Sequence, residues 1–382
     1  MQIKEIRAIE IDVTPQPQTT PRAPSRAETI HMARPISRYP RAYSSPNWKR
    51  TACVVTAEDG TWGFGLSLNG PIGVRLIQEQ FAPALIGENC MAIEKLWDMM
   101  VRLTAPFGGM GLASYAISAV DTALWDLKGK VLGRPVYELL GGPQKDEIFC
   151  YATGFDTEWY IESGFKATKI FTPWGPHDGL EGLHKNVEFV AQTRERVGDD
   201  VELMLDCWMT PDAEYAVRLM ELLRPYRLKW IEEFVAADDL ESYARVRERV
   251  PWQTLAAGEH WYLPKTFFAA ASRGLVDILQ PDVLWCGGIT AARKICHMAE
   301  AAGLSVITHA GMNYPYGQHL AYAMPVIPWG ERSEGVSAPG VPLAEMTRLP
   351  GTPAIENGTV TPSDAPGFGL EITQEWIEER AS

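Results

Sequence analysis

The sequence predicts an α/β chain, a (β/α) barrel accompanied by a smaller α+β region, and three observations carry the prediction. From about residue 147, short apolar runs alternate with amphipathic helical stretches, which is the pattern of a parallel sheet with crossover helices. Polar residues close successive runs at a spacing of about 25 residues, the length taken by one strand, one helix and two short loops. Before this region the chain reads as strands followed by helices, and after about residue 340 the alternation is lost.

The elements follow in order. Residues 3–13 and 51–57 read as strands, with AEDGTWGFG supplying a turn between strands. The Pro-, Arg- and Ser-rich stretch 14–50 has little periodicity and reads as a long loop of the kind that serves as a lid or is disordered. Helical patterns come near 72–83, 91–104 and 112–131. Then come the apolar runs ATKIF (167–171), VELMLD (201–206), LKWIEE (228–233), TLAAGE (254–259), VDILQPD (276–282) and LSVITH (304–309). The tail, rich in Pro and Gly, ends in a helix-like EITQEWIEERAS and is expected to fold back onto the first region.

The 382 residues are 46% hydrophobic, enough for one large core or a large and a small one. The formal net charge of −13 disfavours nucleic acid and anionic membranes as partners. An anionic substrate would need a local cation. Cys53, Cys90, Cys150, Cys207, Cys286 and Cys296 form no C-x-x-C pair and read as reduced thiols, which points to a cytoplasmic setting. No run has the apolar length of a membrane span, and the start has no apolar signal-peptide region.

The chemistry resides at the strand ends. Asp206, Glu232, Glu259, Asp282 and His309 each end a successive run. In a barrel that end carries the active site, whereas an open sheet would spread five strand ends sideways. Three carboxylates brought together repel unless a cation joins them, and an all-oxygen set suits Mg²⁺. The competing reading is that each caps the following helix. Asp282 beside His309 fixes the imidazole tautomer and makes a general base. His260 follows Glu259 and is a candidate second acid, and Glu331 marks an eighth strand end, where a protonated carboxyl would donate to a developing oxyanion. Lys169, in ATKIF, would neutralise an acid group. Trp174 and His177 lie in the loop WGPHDG (174–179), which either contacts hydroxyls or holds a rigid turn. His31, Arg34 and Arg38 would bring positive charge from the long loop over the barrel mouth.

The stretch SAVDTALWDLKGKVLGRPVYELLGG (118–142) resembles the signature of the mandelate racemase group in the enolase superfamily. WGPHDG, LMLDCWM, LKWIEE, GEH, QPDVLWCGG and HMARPISRY resemble the rhamnonate dehydratase branch of that group. The resemblance covers nearly the whole chain. It implies an α+β capping domain over residues 1–140, a modified (β/α)7β TIM-like barrel over 141–340, and a segment 341–382 that completes the cap. It implies one Mg²⁺ per subunit on Asp206, Glu232 and Glu259, the dyad Asp282–His309, and an even-numbered homo-oligomer such as an octamer. The activity implied is dehydration of a sugar acid, with L-rhamnonate first and L-lyxonate or L-mannonate next; a non-catalytic binding protein of the same fold is the alternative. Many relatives carry Lys-x-Lys on the second barrel strand, where this chain reads Lys169-Ile170-Phe171. Phenylalanine takes no proton, so a single-base dehydratase is expected over a two-base racemase. After His309 the chain reads AGMNYPYGQH, a departure at positions expected to face the far end of the substrate.

Overall fold

A computed structural model describes residues 1–14, 49–333 and 336–381. The lid reading of the long loop, with His31, Arg34 and Arg38, lies outside these residues.

The first region contains an antiparallel sheet of β1 (Ile3–Ile11), β2 (Arg50–Ala57) and β3 (Trp62–Ser67) in that order. The helix Leu112–Leu132 lies against it and is almost wholly buried. Gly63 and Gly65 of β3 permit this close approach: a Cβ there would stand 2.1 Å from Ala123 O and 2.0 Å from Ala119 O. The pattern expected over 72–83 resolves into Gly70–Leu76, a π-helical turn Ile77–Phe81, and Ala82–Leu85.

The second region is a curled parallel sheet. Its strands are β4 (Ile148–Thr153), β5 (Ala167–Phe171), β6 (Glu202–Asp206), β7 (Ile231–Glu232), β8 (Leu255–Ala257), β9 (Ile278–Leu279), β10 (Ser305–Val306) and β11 (Trp329–Arg332). Each pairs with the next in chain order from β4 to β10, and β11 returns to pair with β4. At the β10–β11 seam, Ala310 N–H donates to Glu331 Oε2 at 2.8 Å, and Met312 packs on Gly330. This is the α/β barrel arrangement that the sequence predicts.

Side-chain alternation along these strands positions the site. Tyr151, Ala167, Met204, Trp230, Ala256, Ile278 and Ile307 form one buried cluster, with Trp329 packed against it. They plug the barrel interior. Two residues further along, on the same inward side, come Thr153, Lys169, Asp206, Glu232, Gln280, His309 and Glu331. The residues between, such as Leu203, Leu205 and Ile231, face the helices in the outer core.

The tail returns to both regions. β12 (Thr359–Val360) pairs antiparallel with β4, and Ile11 bridges Ala381. The helix Leu112–Leu132 fastens the two regions. Asp121 Oδ2 accepts from Thr290 N at 3.0 Å, while Asp126 accepts from Phe64 N at 2.9 Å and from Phe368 N at 3.0 Å. Ser114 Oγ donates to Trp285 O at 2.6 Å. Among the described residues no helix is long and apolar enough to cross a membrane.

Candidate active site

A cleft of about 400 Å³ opens at the C-terminal ends of the barrel strands. Lys169, Asp206, Glu259, His260, His309 and Glu331 line it, together with Thr153, Phe171, Trp208 and Trp285. Several backbones just past the strand ends are strained. Trp208 (φ 40°), Met209 (φ 61°), Glu233 (φ 47°) and Ala310 (φ 48°) adopt the left-handed conformation without being glycine, a cost that persists where surrounding structure imposes it.

Carboxylate oxygens of Asp206, Glu232 and Glu259 lie within 4.8 Å of one another, and all three residues are buried. Glu232 is held on both sides: Oε2 accepts from Trp230 Nε1 at 2.8 Å and Gln280 Nε2 at 2.7 Å, and Oε1 accepts from Lys169 Nζ. Lys169, 1% exposed, also reaches Glu331 Oε1 at 2.9 Å and Asp206 Oδ2 at 3.5 Å. Burial opposes its charge, but Glu232, Glu331 and Asp206 hold it well above the usual lysine range. Burial likewise raises Asp206 and takes Glu259 to about 7, the latter opposed by His309 and His260. Carboxylates this close and this dry repel one another unless cations compensate them. The donor set, three oxygens converging on one point, fits a hard divalent cation that keeps open positions for water or substrate.

His309 Nδ1 lies 2.8 Å from Asp282 Oδ2, and Nε2 lies 3.5 Å from Glu259 Oε2. Asp282 is itself fixed by Leu284 N–H at 2.7 Å. Burial opposes the charged imidazole, yet Glu259, Asp282 and Glu331 hold His309 well above its ordinary value. The Trp285 ring packs on His309 with centroids 4.8 Å apart. The arrangement can remove a proton from a group in the cleft and keep the resulting imidazolium stable.

Glu331 differs from its expectation as a protonated donor. Its oxygens accept from Thr153 Oγ1 at 2.5 Å, Lys169, and Ala310 N–H. Burial pushes its carboxyl up, but Lys169, His309 and these hydrogen bonds outweigh that and hold it down at about 2. It is an ionised acceptor that locks Lys169 and the turn after His309. Of the residues after His309, Gly311, Tyr314, Tyr316 and Gly317 line a small pocket beside His309 and Asp282, while Met312 and Asn313 turn toward β11. Met312 packs on Gly330, and Asn313 exchanges hydrogen bonds with the Ser333 backbone. Thr153, Gly154, Asp156 and Tyr160, with Ser333, Val336 and Ser337, also line the cleft.

Trp174 and His177 are not among the cleft residues. Trp174 is tied through its backbone to Asn186, and His177 lies in a tight turn beside Asp178 at 3.2 Å. Phe171 does line the cleft, across the barrel from His309, with its ring 5.8 Å from Phe155. Sequence reasoning missed Thr153, Gln280, Trp285 and Glu233. The first two sit two residues past plug positions, a signal visible once the strands are known.

Comparison with known proteins agrees with this geometry. Residues 156–376 match the family described as enolase C-terminal domain-like, and residues 28–141 match the mandelate racemase / muconate lactonizing enzyme N-terminal domain. A protein described as L-rhamnonate dehydratase, from Saccharopolyspora erythraea, is 39% identical over 354 residues, 90% of each chain. A rhamnonate dehydratase structure from Gibberella zeae, complexed with Mg, superposes with a TM-score of 0.91 at 31% identity, covering 100% of this chain and 96% of that one. A racemase from Streptomyces coelicolor A3(2) with bound magnesium superposes with a TM-score of 0.81 at 26% identity, covering both chains fully. The chain belongs to the mandelate racemase / muconate lactonizing enzyme family of the enolase superfamily.

Proposed function

We propose that the chain is a Mg²⁺-dependent L-rhamnonate dehydratase, a hydro-lyase giving 2-keto-3-deoxy-L-rhamnonate. The observation that carries this reading is the His309–Asp282 dyad, 2.8 Å apart, beside three converging carboxylates. The curated relative and the Mg-complexed neighbour support the substrate and the metal.

Asp206, Glu232 and Glu259 would hold one Mg²⁺. When bound, the ion supplies a Lewis acid that polarises the substrate carboxylate and makes the neighbouring C–H acidic enough to lose its proton. Lys169, fixed by Glu331, adds positive charge on the same side of the cleft. His309 takes the C2 proton through Nε2, because Nδ1 is committed to Asp282. As electrons shift toward C3, the C3–O bond breaks, and the imidazolium of His309 returns its proton to the departing hydroxyl as water. The enol product then ketonises. His260 lines the same cleft and contacts the substrate.

Phe171 favours dehydration over racemisation. A racemase needs a proton donor on the face opposite the base, and a phenyl ring occupies that side. The same reading takes the enzyme to be a cytoplasmic, even-numbered homo-oligomer acting on a small molecule. The six cysteines, all free and buried, support the compartment.

The test is His309→Asn. The variant is expected to lose both dehydration and exchange of the C2 hydrogen with ²H₂O while still binding Mg²⁺. Exchange that survives in the variant would place the base elsewhere.

A further inference from the structure

Glu233 has no part in the chemistry above, yet it is buried, strained and directed at the site. It follows Glu232 directly. Neighbouring side chains of a regular strand point to opposite faces, so Glu233 would turn outward among the apolar residues behind the barrel. Its backbone adopts φ 47° instead, and its carboxylate comes within 4.8 Å of polar atoms of Glu259 and His260. The residue is 1% exposed, and among the described residues its Oε1 is buried without a hydrogen-bond partner. Its Oε2 lies 2.8 Å from His260 Nδ1. A left-handed backbone at a non-glycine residue and a dry, half-satisfied carboxylate both cost free energy. Each calls for a compensating role.

The surroundings of His260 supply one. Its ring packs against two indoles, Trp208 with centroids 6.3 Å apart and Trp285 at 5.7 Å. His260 lines the cleft and Glu233 does not. Whatever Glu233 does to the reaction, it does through the imidazole.

We propose that Glu233 is a positioning residue for His260: it accepts the Nδ1–H hydrogen bond and so turns Nε2 toward the cleft as an acceptor for a substrate hydroxyl. The hydrogen bond made at one ring nitrogen decides which tautomer a neutral histidine adopts. With Nδ1–H committed to Glu233, the Nε2 lone pair faces the cleft. A sugar acid presents donors of the matching kind, its chain hydroxyls. The Nδ1-protonated form is ordinarily the minor one, which accounts for a buried carboxylate held in place to select it. The substrate half of the proposal rests on reading the cleft as a sugar-acid site; the tautomer half does not.

Two-bond ¹H–¹⁵N spectra of Mg²⁺-loaded, ¹⁵N-histidine-labelled protein at pH 9 test it, with His260 assigned by its loss in His260→Asn. The wild type is expected to show His260 protonated at Nδ1. Glu233→Gln, whose amide oxygen still accepts, is expected to keep that form, and Glu233→Leu to move it to Nε2. Glu233→Leu should raise KM for L-rhamnonate by about 10-fold or more, the loss of one buried hydrogen bond, with half-saturation by Mg²⁺ unchanged. The glutamine variant should stay within about 3-fold, since it keeps the acceptor. Wild-type His260 protonated at Nε2 would overturn the proposal, and that measurement needs no variant to fold. So would a Mg²⁺ requirement that rises in step with KM, which would place Glu233 in the metal site, or a switched tautomer with KM unchanged. A protein with the expected tautomer that dehydrates no sugar acid would sink the functional reading and leave the tautomer assignment standing.

Discussion

Lys169→Met removes the one buried ammonium among the carboxylates while keeping a side chain of similar length. In the wild type, Nζ touches Glu232 and Glu331 and approaches Asp206 to 3.5 Å. All of these groups are at most 2% exposed, so solvent does little to screen the loss. Breaking a buried ion pair by removing one partner costs about 3–5 kcal/mol. For a chain of 382 residues, an unfolding entropy of about 2.1 cal/mol/K per residue converts this into a Tm fall of about 4–6 °C. The metal-free protein should show the whole of it in differential scanning calorimetry. Mg²⁺ should then recover more in the variant than in the wild type, because Lys169 competes with the ion for the oxygens of Glu232 and Asp206. A ligand at about 100 times its Kd adds roughly 2.7 kcal/mol, and the variant's Kd should be lower. Activity should nonetheless fall by about 10²–10³, the usual cost of removing one preorganised electrostatic group. A metal-free variant that melts with the wild type, or one whose Mg²⁺ response is weaker, would refute the reasoning.

Other outcomes follow from the same geometry. Glu232→Gln leaves Trp230 and Gln280 facing an amide where they donated to a carboxylate, and one metal oxygen loses its charge; Mg²⁺ affinity measured by isothermal titration should fall at least about 10-fold, in line with loss of one charge-assisted contact. Phe171→Lys places an amine across the barrel from His309, and ¹H NMR in ²H₂O should show substrate epimerised at C2, which the wild type does not form. His319 is fully buried, with Tyr137 N–H donating to its Nδ1 at 3.2 Å, and burial depresses it to about 3. A histidine whose folded value lies below the unfolded one of about 6.5 loses stability as pH falls through 6.5, continuing toward 3. Between pH 7.5 and 5 that amounts to about 2 kcal/mol, and His319→Gln should flatten the fall in Tm over that interval relative to wild type.

Much of the site was legible because strand-end residues in a barrel converge whatever the intervening helices do. Asp206, Glu232, Glu259, Asp282 and His309 needed only the spacing of the apolar runs. What was not legible depends on contacts across the barrel or on local backbone. Glu331 was read as a protonated donor because its distance to Lys169, on a strand separated from it by β4, is not encoded in spacing. Glu233 was passed over because strand alternation turns it outward, and only the left-handed φ brings it back. Within residues 310–319, expected at the far end of the substrate, the left-handed turn at Ala310 directs Met312 and Asn313 toward β11, a local backbone feature that spacing does not encode. Trp174 and His177 fall in a turn whose backbone satisfies itself through Asn186 and Asp178, the local reading that the loop's glycines and proline already allowed.

The central claim is that these carboxylates and this dyad dehydrate a sugar acid. The direct measurement is to incubate the purified protein with L-rhamnonate and Mg²⁺ and follow the 2-keto-3-deoxy acid with a carbonyl reagent, alongside L-mannonate, L-lyxonate and a wider panel of mono- and diacid sugars. Product is expected from L-rhamnonate, abolished by EDTA, restored by Mg²⁺ and absent from His309→Asn. A Mg²⁺-loaded protein that forms no keto acid from any member of the panel would contradict it.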